Sequence, residues 1–186
     1  MDPTGVLRHE HELVCRTLAG ADALAEAAHA TGRVDVTAAR SFVESSRGFT
    51  DGRHHMKEER LLFPLIGERD PRVKAGPVNA MLREHEGGRE RIRRLAAALD
   101  AVDAGDAGAV AEVAENLSSY AALLRSHIAK ENNVLFPMAD GLLTEDDRRD
   151  LLEAFERVEE EETGPGEHER FERIAEELGG DATCES

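Results

Sequence analysis

The chain contains one motif twice, HHMKEERLLFP at residues 54–64 and HIAKENNVLFP at residues 127–137. Its histidine, lysine, glutamate, leucine, phenylalanine and proline stand at the same positions in both copies. A further histidine precedes each motif, His11 by 43 residues and His85 by 42. Since one pair of helices cannot bury its apolar face alone, this internal repeat predicts that two helix hairpins pack together.

The apolar residues follow a helical pattern along most of the chain. Four long segments place them three or four positions apart, and the most regular segment runs from Val110 to Val134. No segment alternates apolar and polar residues over a useful length, so we expect no β-sheet. The sequence therefore predicts an all-α protein, an antiparallel up-and-down four-helix bundle built from two helix-hairpin repeats, with additional C-terminal helices.

Residues that break helices mark the ends of these segments. Gly32 follows the first segment, and the stretch DAGDAG at residues 103–108 separates the third from the fourth. Pro64 and Pro137 fall near the ends of the second and fourth segments. We predict that the bundle occupies residues 1–140.

The chain is strongly acidic, with 39 Asp and Glu against 23 Lys and Arg and a formal net charge of −16. This balance argues against a nucleic-acid partner, because phosphate binding requires a basic face. Most of the excess acid lies in residues 141–186, which we predict to form an acidic helical extension packed on the bundle. Its acidic face is either solvated or a docking surface for a basic partner.

Nothing in the sequence indicates export or membrane insertion. The N-terminus has no apolar core of the kind that a signal peptide needs, and no apolar stretch approaches membrane-spanning length. The two cysteines, Cys15 and Cys184, are far apart and form no CxxC pair. We therefore expect a cytoplasmic protein without a membrane partner.

Titratable residues occupy faces that the helical pattern predicts to be buried. Each glutamate among them follows a histidine by four positions, about one turn along the same face. A buried carboxylate is costly unless it is paired or bound to a cation, and imidazoles with carboxylates suit first-row transition metals. Six such groups exceed what one tetrahedral zinc ion requires, so we predict a site for two iron ions. The predicted ligands are His11, His54, Glu58, His85, His127 and Glu131.

This arrangement resembles that of the hemerythrin-like (HHE cation-binding) family over roughly residues 6–140. The family pattern is a histidine followed by His-x-x-x-Glu, and then the same elements again. The resemblance implies a four-helix bundle with a non-haem diiron centre bridged by the two motif glutamates. It also implies that His11 and His54 serve one iron, and that His85 and His127 serve the other.

One position departs from the oxygen carriers of the family. They have a further histidine one turn after the third-helix ligand, where this chain has Arg89. We expect this cation to point to solvent or to pair with an acid, and it argues against simple reversible oxygen transport. His168, in the last predicted helix, is a candidate for the missing ligand; the alternative is a partly buried histidine that holds that helix down.

Several other residues lie near the predicted site. Tyr120 shares a face with the fourth-helix histidine, either as core or as a phenol that reaches the metal centre. His55 lies about 100° around the helix from His54, which favours a position beside the site or at the surface over metal ligation. Glu59 and Asn132 occupy matching positions in the two motifs, and we expect at most a hydrogen-bonding role for them.

Three classes of function follow from these residues. The first, which we favour, is a diiron protein that binds dioxygen, nitric oxide or a related small molecule for sensing, storage or detoxification. The second is a diiron enzyme that acts on peroxide or nitric oxide, as a catalase or a reductase. The third is an iron-free or zinc-bound helical interaction module. The sequence indicates neither the electron donor nor the oligomeric state.

Overall fold

The computed structural model of the protein describes residues 2–162 and 166–179, and no β-strand occurs among them. Four π-helical segments, whose N–H groups bond carbonyls five residues earlier, interrupt the α-helices: Ser46–His55, Glu58–Leu62, Lys74–Val78 and Glu131–Leu135. The α-helices are α1 (Pro3–Thr31), α2 (Val36–Ser45), α3 (Phe63–Arg69), α4 (Pro71–Val73), α5 (Asn79–Asp103), α6 (Ala109–Lys130), α7 (Phe136–Leu142), α8 (Glu145–Glu162) and α9 (Glu167–Gly179).

Helices α1 to α7, together with the π-helical segments between them, form four rods that run up and down. The first rod is α1, the second runs from α2 to α3, the third from α4 to α5 and the fourth from α6 to α7. Short connections make consecutive rods antiparallel, and α1 and α5 each pack against both α2 and α6. The prediction of an all-α antiparallel bundle with additional C-terminal helices is therefore confirmed.

The ends of the first rod follow from its sequence. The Asp2 side chain accepts a hydrogen bond from the Gly5 amide at 2.6 Å and so caps the first turn of α1. Gly32 ends α1 with a φ of 66°, a left-handed conformation that glycine adopts without steric cost. The predicted end of the first helix at this glycine is confirmed.

The prolines of the two motifs lie near the ends of their rods, as expected, but do not themselves stop them. In each copy a π-helical segment begins at the motif glutamate, and the proline falls in the first turn of the following α-helix. A proline is tolerated there because the first turn needs no intrahelical N–H donor. The second rod therefore continues to Arg69 and the fourth to Leu142.

Buried apolar side chains form two separate clusters. The larger includes Leu18, Leu95 and Leu117, and the smaller includes Leu7 and Ile66. Along every rod, the predicted site residues lie between positions of the larger cluster and positions of the smaller one. A layer of buried titratable groups thus divides the apolar core of the bundle.

Helices α8 and α9 pack against the outside of the bundle. Leu151 and Phe155 of α8 join the smaller cluster, and Phe171 and Ala175 of α9 join the larger one. The division between bundle and extension at residue 140 stays a prediction. None of the described helices is long and apolar enough to cross a membrane.

Two leucines of α5 provide a matched test of this core. Leu95 is fully buried, whereas Leu82 is 36% exposed. We expect Leu95→Ala to lower the free energy of unfolding by about 2–5 kcal/mol, because it leaves a cavity. Leu82→Ala should lower it by less than about 1 kcal/mol. Urea unfolding followed by circular dichroism measures both, and equal losses would contradict this packing.

Candidate metal centre

The six predicted ligands converge in the layer between the two apolar clusters. They belong to two groups whose potential ligand atoms lie within 4.8 Å of one another, and both groups use Glu58. All members are buried. The first group consists of His11, His54, Glu58 and Glu131, and the second consists of His55, Glu58, His85 and His127.

Each glutamate directs its two carboxylate oxygens at different groups. Glu58 places Oε1 3.6 Å from His54 Nε2 and Oε2 3.4 Å from His85 Nε2. Glu131 does the same, with one oxygen 3.3 Å from a histidine Nε2 of the first group and the other 3.2 Å from one of the second. This orientation is the one that a carboxylate bridging two cations requires.

Carboxylates outside the two groups orient the motif histidines. His54 donates from Nδ1 to Glu10 Oε2 at 2.9 Å, and His127 donates from Nδ1 to Glu84 Oε2 at 3.0 Å. Burial raises the pKa of Glu10, but the hydrogen bond from His54 and the nearby lysine charge outweigh it and lower the pKa to about 2. An ionised acceptor fixes the proton on Nδ1 and leaves Nε2 free for a metal.

The other two histidines are oriented by the residues that follow the motif glutamates. His85 donates from Nδ1 to Glu59 Oε1 at 2.7 Å, and His11 donates from Nδ1 to Asn132 Oδ1 at 2.9 Å. The predicted hydrogen-bonding role of Glu59 and Asn132 is confirmed. The Nε2 lone pairs of all four histidines are therefore directed inward.

The interior of the site holds polar atoms that hydrogen bonds do not satisfy. Each unsatisfied buried polar atom normally costs free energy, and an ionised carboxylate costs far more. A cation coordinated between these atoms removes that cost, so this donor set fits a metal. Among the described residues, the atoms without a hydrogen-bond partner include His11 Nε2, His54 Nε2 and both carboxylate oxygens of Glu58 and Glu131.

The imidazoles of the second group also fit a metal. The Nε2 atoms of His85 and His127 are only 3.1 Å apart, although the Nδ1 atom of each ring already carries the proton. Two lone pairs at this distance repel each other unless a cation lies between them. Without a metal, a proton takes that place: burial lowers the pKa of His85, but nearby Glu58 and Glu59 raise it to about 9.

His55 lies beside the site, one of the two positions expected for it, and also stands where it could hold a metal. The structure buries its ring, stacks it on His85 with centroids 3.8 Å apart, and includes it in the second group. The cause is the π-helical segment Ser46–His55, whose wider turn lets His54 and His55 both face inward. Burial and the neighbouring histidines lower the pKa of His55, which keeps it neutral as ligation requires.

Arg89 pairs with acids, as expected. Its Nε donates to Asp51 Oδ1 at 2.8 Å and its Nη2 donates to Glu59 Oε1 at 2.6 Å. Glu59 Oε1 is also the atom that accepts the His85 hydrogen bond. Arg89 therefore acts on the site through Glu59. The side chain of His168 lies outside the described residues, and its proposed ligation stays a prediction.

A cavity of about 150 Å³ opens beside the second group. Its lining includes His55, His85, Arg89 and Tyr120, so a small molecule can approach the imidazoles from this side. Burial raises the pKa of Tyr120 to about 12, which keeps its phenol protonated. Tyr120 belongs to the larger apolar cluster, as expected of a core residue, and also borders this cavity. Contact of its hydroxyl with the metal centre stays a prediction.

Two outer carboxylates, Glu10 and Glu84, and the lysines that hold them were not among the predicted site residues. Glu10 accepts a hydrogen bond from Lys57, and Glu84 accepts one from Lys130. The sequence contains a signal for these residues, because a glutamate directly precedes both His11 and His85 and the lysine recurs in both motif copies. These matching positions identify outer partners of the site as well as its ligands.

Comparison with known proteins agrees with this geometry. The model of the hemerythrin HHE cation-binding domain family matches residues 2–139. The iron-sulfur cluster repair protein YtfE of Musicola paradisiaca (strain Ech703) is 33% identical over 88 residues, which are 46% of this chain and 40% of that protein. The YtfE of Pectobacterium carotovorum subsp. carotovorum (strain PC1) is 34% identical over 89 residues, again 46% and 40%.

An uncharacterised protein of Mycobacterium tuberculosis (strain ATCC 25618 / H37Rv) is 26% identical over 119 residues, 63% of this chain and 46% of that protein. The chain thus spans less than half the length of these curated relatives. No solved structure gives a significant match. Since the family match covers most of the chain and includes both motif copies, the chain belongs to the hemerythrin HHE cation-binding domain family.

Proposed function

We propose that this chain is a non-haem diiron protein of the cytoplasm that binds a small molecule, dioxygen or nitric oxide, for sensing, storage or detoxification. The observation that carries the proposal is the orientation of the two glutamates. Each presents one carboxylate oxygen to each group of histidines. This geometry suits two cations that share both carboxylates, whereas a single structural zinc ion would use only four ligands.

The two groups would offer different numbers of imidazoles to the two ions. The first group offers two imidazoles, from His11 and His54, and the second offers three, from His55, His85 and His127. His55 would thus supply the imidazole that the family's oxygen carriers take from the position of Arg89. When bound, a pair of iron ions supplies redox chemistry and a coordination position for a small molecule.

Other residues prepare the cavity for that molecule. Tyr120 packs in the larger apolar cluster, and burial raises the pKa of its phenol, which keeps a proton at its oxygen through the neutral range. Arg89 lies at the cavity wall, where Asp51 and Glu59 hold its guanidinium. These residues shape access to the site without ligating a metal.

Iron–sulfur cluster repair is a second candidate, favoured by the similarity to YtfE relatives that are named iron-sulfur cluster repair proteins. The alignment covers less than half of either chain, so that activity enters here as a proposal about this chain alone. Both candidates require bound iron. A diiron enzyme that acts on peroxide or nitric oxide, and an iron-free interaction module, are outcomes that the following experiments distinguish.

The binding proposal is tested by an optical spectrum of the anaerobic, ferrous protein before and after exposure to dioxygen or nitric oxide. We expect a new absorption band that appears on exposure and disappears when the gas is removed. Continuous consumption of nitric oxide or peroxide above the rate of free iron would instead establish the enzyme. Protein that retains no iron after loading would contradict both and favour the interaction module.

The role of His55 is tested by His55→Leu, which fills a similar volume with an apolar side chain and removes the candidate ligand. We expect it to accelerate loss of one of two irons to a chelator by at least about tenfold, by analogy with the effects of perturbing metal-site partners. His9→Leu is the control, because His9 is exposed. Equal iron retention in the two variants would exclude His55 as a ligand.

Metal affinity should depend on pH. Because the pKa of His85 is raised to about 9 without a metal, this ring holds a proton below that pH, and a metal ion must displace it. Affinity should therefore rise with pH up to about 9, by as much as about tenfold per pH unit for one displaced proton. Chelator competition with zinc between about pH 6 and 9 measures this, and a flat profile would contradict it.

A further inference from the structure

The extension reaches the metal centre through a buried lysine. Lys57 is 1% exposed, and its ammonium donates to two carboxylates from different helices, Glu10 of α1 and Glu159 of α8. Its Nζ also lies 5.7 Å from the ring centroid of Phe155 on α8. A buried ammonium is stable only when it is paired, so α8 supplies part of what keeps Lys57 in the interior.

Glu10 connects this lysine to a predicted metal ligand. One oxygen of Glu10 accepts from Lys57, and the other accepts from His54 Nδ1 at 2.9 Å. An outer carboxylate that accepts from a ligating imidazole orients the ring and increases its basicity. The charge that Glu10 offers to His54 depends on how much of it Lys57 neutralises. Glu159 also pairs with Lys57, so Lys57 neutralises less of the negative charge of Glu10. More of that charge is then available to the hydrogen bond from His54.

The second motif copy shows that this arrangement is specific to one half of the bundle. Lys130 donates to Glu84, which accepts from His127 exactly as Glu10 accepts from His54. Lys130, however, is 41% exposed. The lysine and the glutamate match in the two copies, but Lys57 also pairs with Glu159 of the extension.

The extension also docks on the π-helical segment that carries His54 and His55. Arg53 of that segment is buried, with Nη1 3.8 Å from Glu159 Oε2 and its guanidinium 5.0 Å from the ring centroid of Phe171 on α9. Phe171 also lies against Gly48, where an added Cβ would be 2.4 Å from the phenylalanine Cζ. Only glycine permits this approach, so the contact is close and specific.

We propose that docking of the extension sets how tightly the first group holds its metal, through the contact chain from Glu159 to Lys57 to Glu10 to His54. Lys57 and Glu159 are positioning residues, since neither belongs to the two groups. The proposal rests on the proposed diiron centre. It adds that the extension affects metal binding at one of the two positions and not at the other. Removing the Glu159 charge alone should weaken metal binding in the first group and leave the second unchanged.

The test compares Glu159→Gln with Glu160→Gln in the full chain loaded with iron. Both substitutions remove one charge from α8, but Glu160 is exposed. We expect Glu159→Gln to release one of the two irons to a chelator about tenfold faster than the control, with the second release phase unchanged. We expect Glu159→Gln to have the lower urea midpoint, because the buried Lys57 and Arg53 lose a charged partner. Acceleration of one release phase rather than of both therefore separates positioning of the site from general loss of stability.

A second variant tests whether Lys57 transmits the effect of Glu159 to the metal site. In a Lys57→Met background, which keeps the aliphatic stem, Glu159→Gln should no longer change the release rate, because the connecting charge is absent. In the metal-free protein, histidine ¹⁵N spectra should show a shift for His54 with Glu159→Gln and none for His127. This second measurement does not depend on iron.

The outcomes separate this inference from the proposed function. Two irons in the wild-type protein, with release rates that Glu159→Gln leaves unchanged or accelerates equally in both phases, would overturn the inference alone. An additive effect of Glu159→Gln in the Lys57→Met background would also overturn it. A wild-type protein that binds no metal would overturn the diiron centre and this inference together.

Discussion

The charge of two glutamates inside an apolar bundle is the constraint on which the rest of the structure depends. Glu58 and Glu131 have no exposed surface, and their oxygens have no hydrogen-bond donor among the described residues. The surrounding imidazoles direct lone pairs at the same space, because outer acceptors occupy their other nitrogens. Bound cations would stabilise this layer; without them, and despite burial, the nearby carboxylates raise the pKa of His54 and His85, so protonated imidazoles offset part of the charge.

The fold and most of the site could be predicted from the sequence, because both follow from spacing along a helix. The repeated motif fixed which faces meet, and His-x-x-x-Glu placed each glutamate beside its histidine. His55 could not be placed in this way, because the angle between neighbouring residues was taken from an α-helix and the segment is π-helical. The prolines lie near the ends of their rods, as expected, but the π-helical segment before each one lets the rod continue for a further short α-helix.

The same irregular backbone links the candidate site to the extension. A π-helical segment presents His54 and His55 to the interior and Gly48 and Arg53 to α9 and α8, so one stretch of chain serves both contacts. Such segments are often found at functional sites, where they redirect side chains that a regular helix would separate. The near-symmetric repeat thereby acquires two unequal halves, one covered by the extension and one open to solvent at Lys130.

A crystal structure of the iron-loaded protein, with anomalous diffraction recorded on both sides of the iron absorption edge, would locate the metal ions directly. We expect two iron peaks, one coordinated by each group of histidines, with Glu58 and Glu131 contributing an oxygen to both. A single peak, a peak of another metal in both groups, or glutamates turned away from the histidines would contradict this expectation.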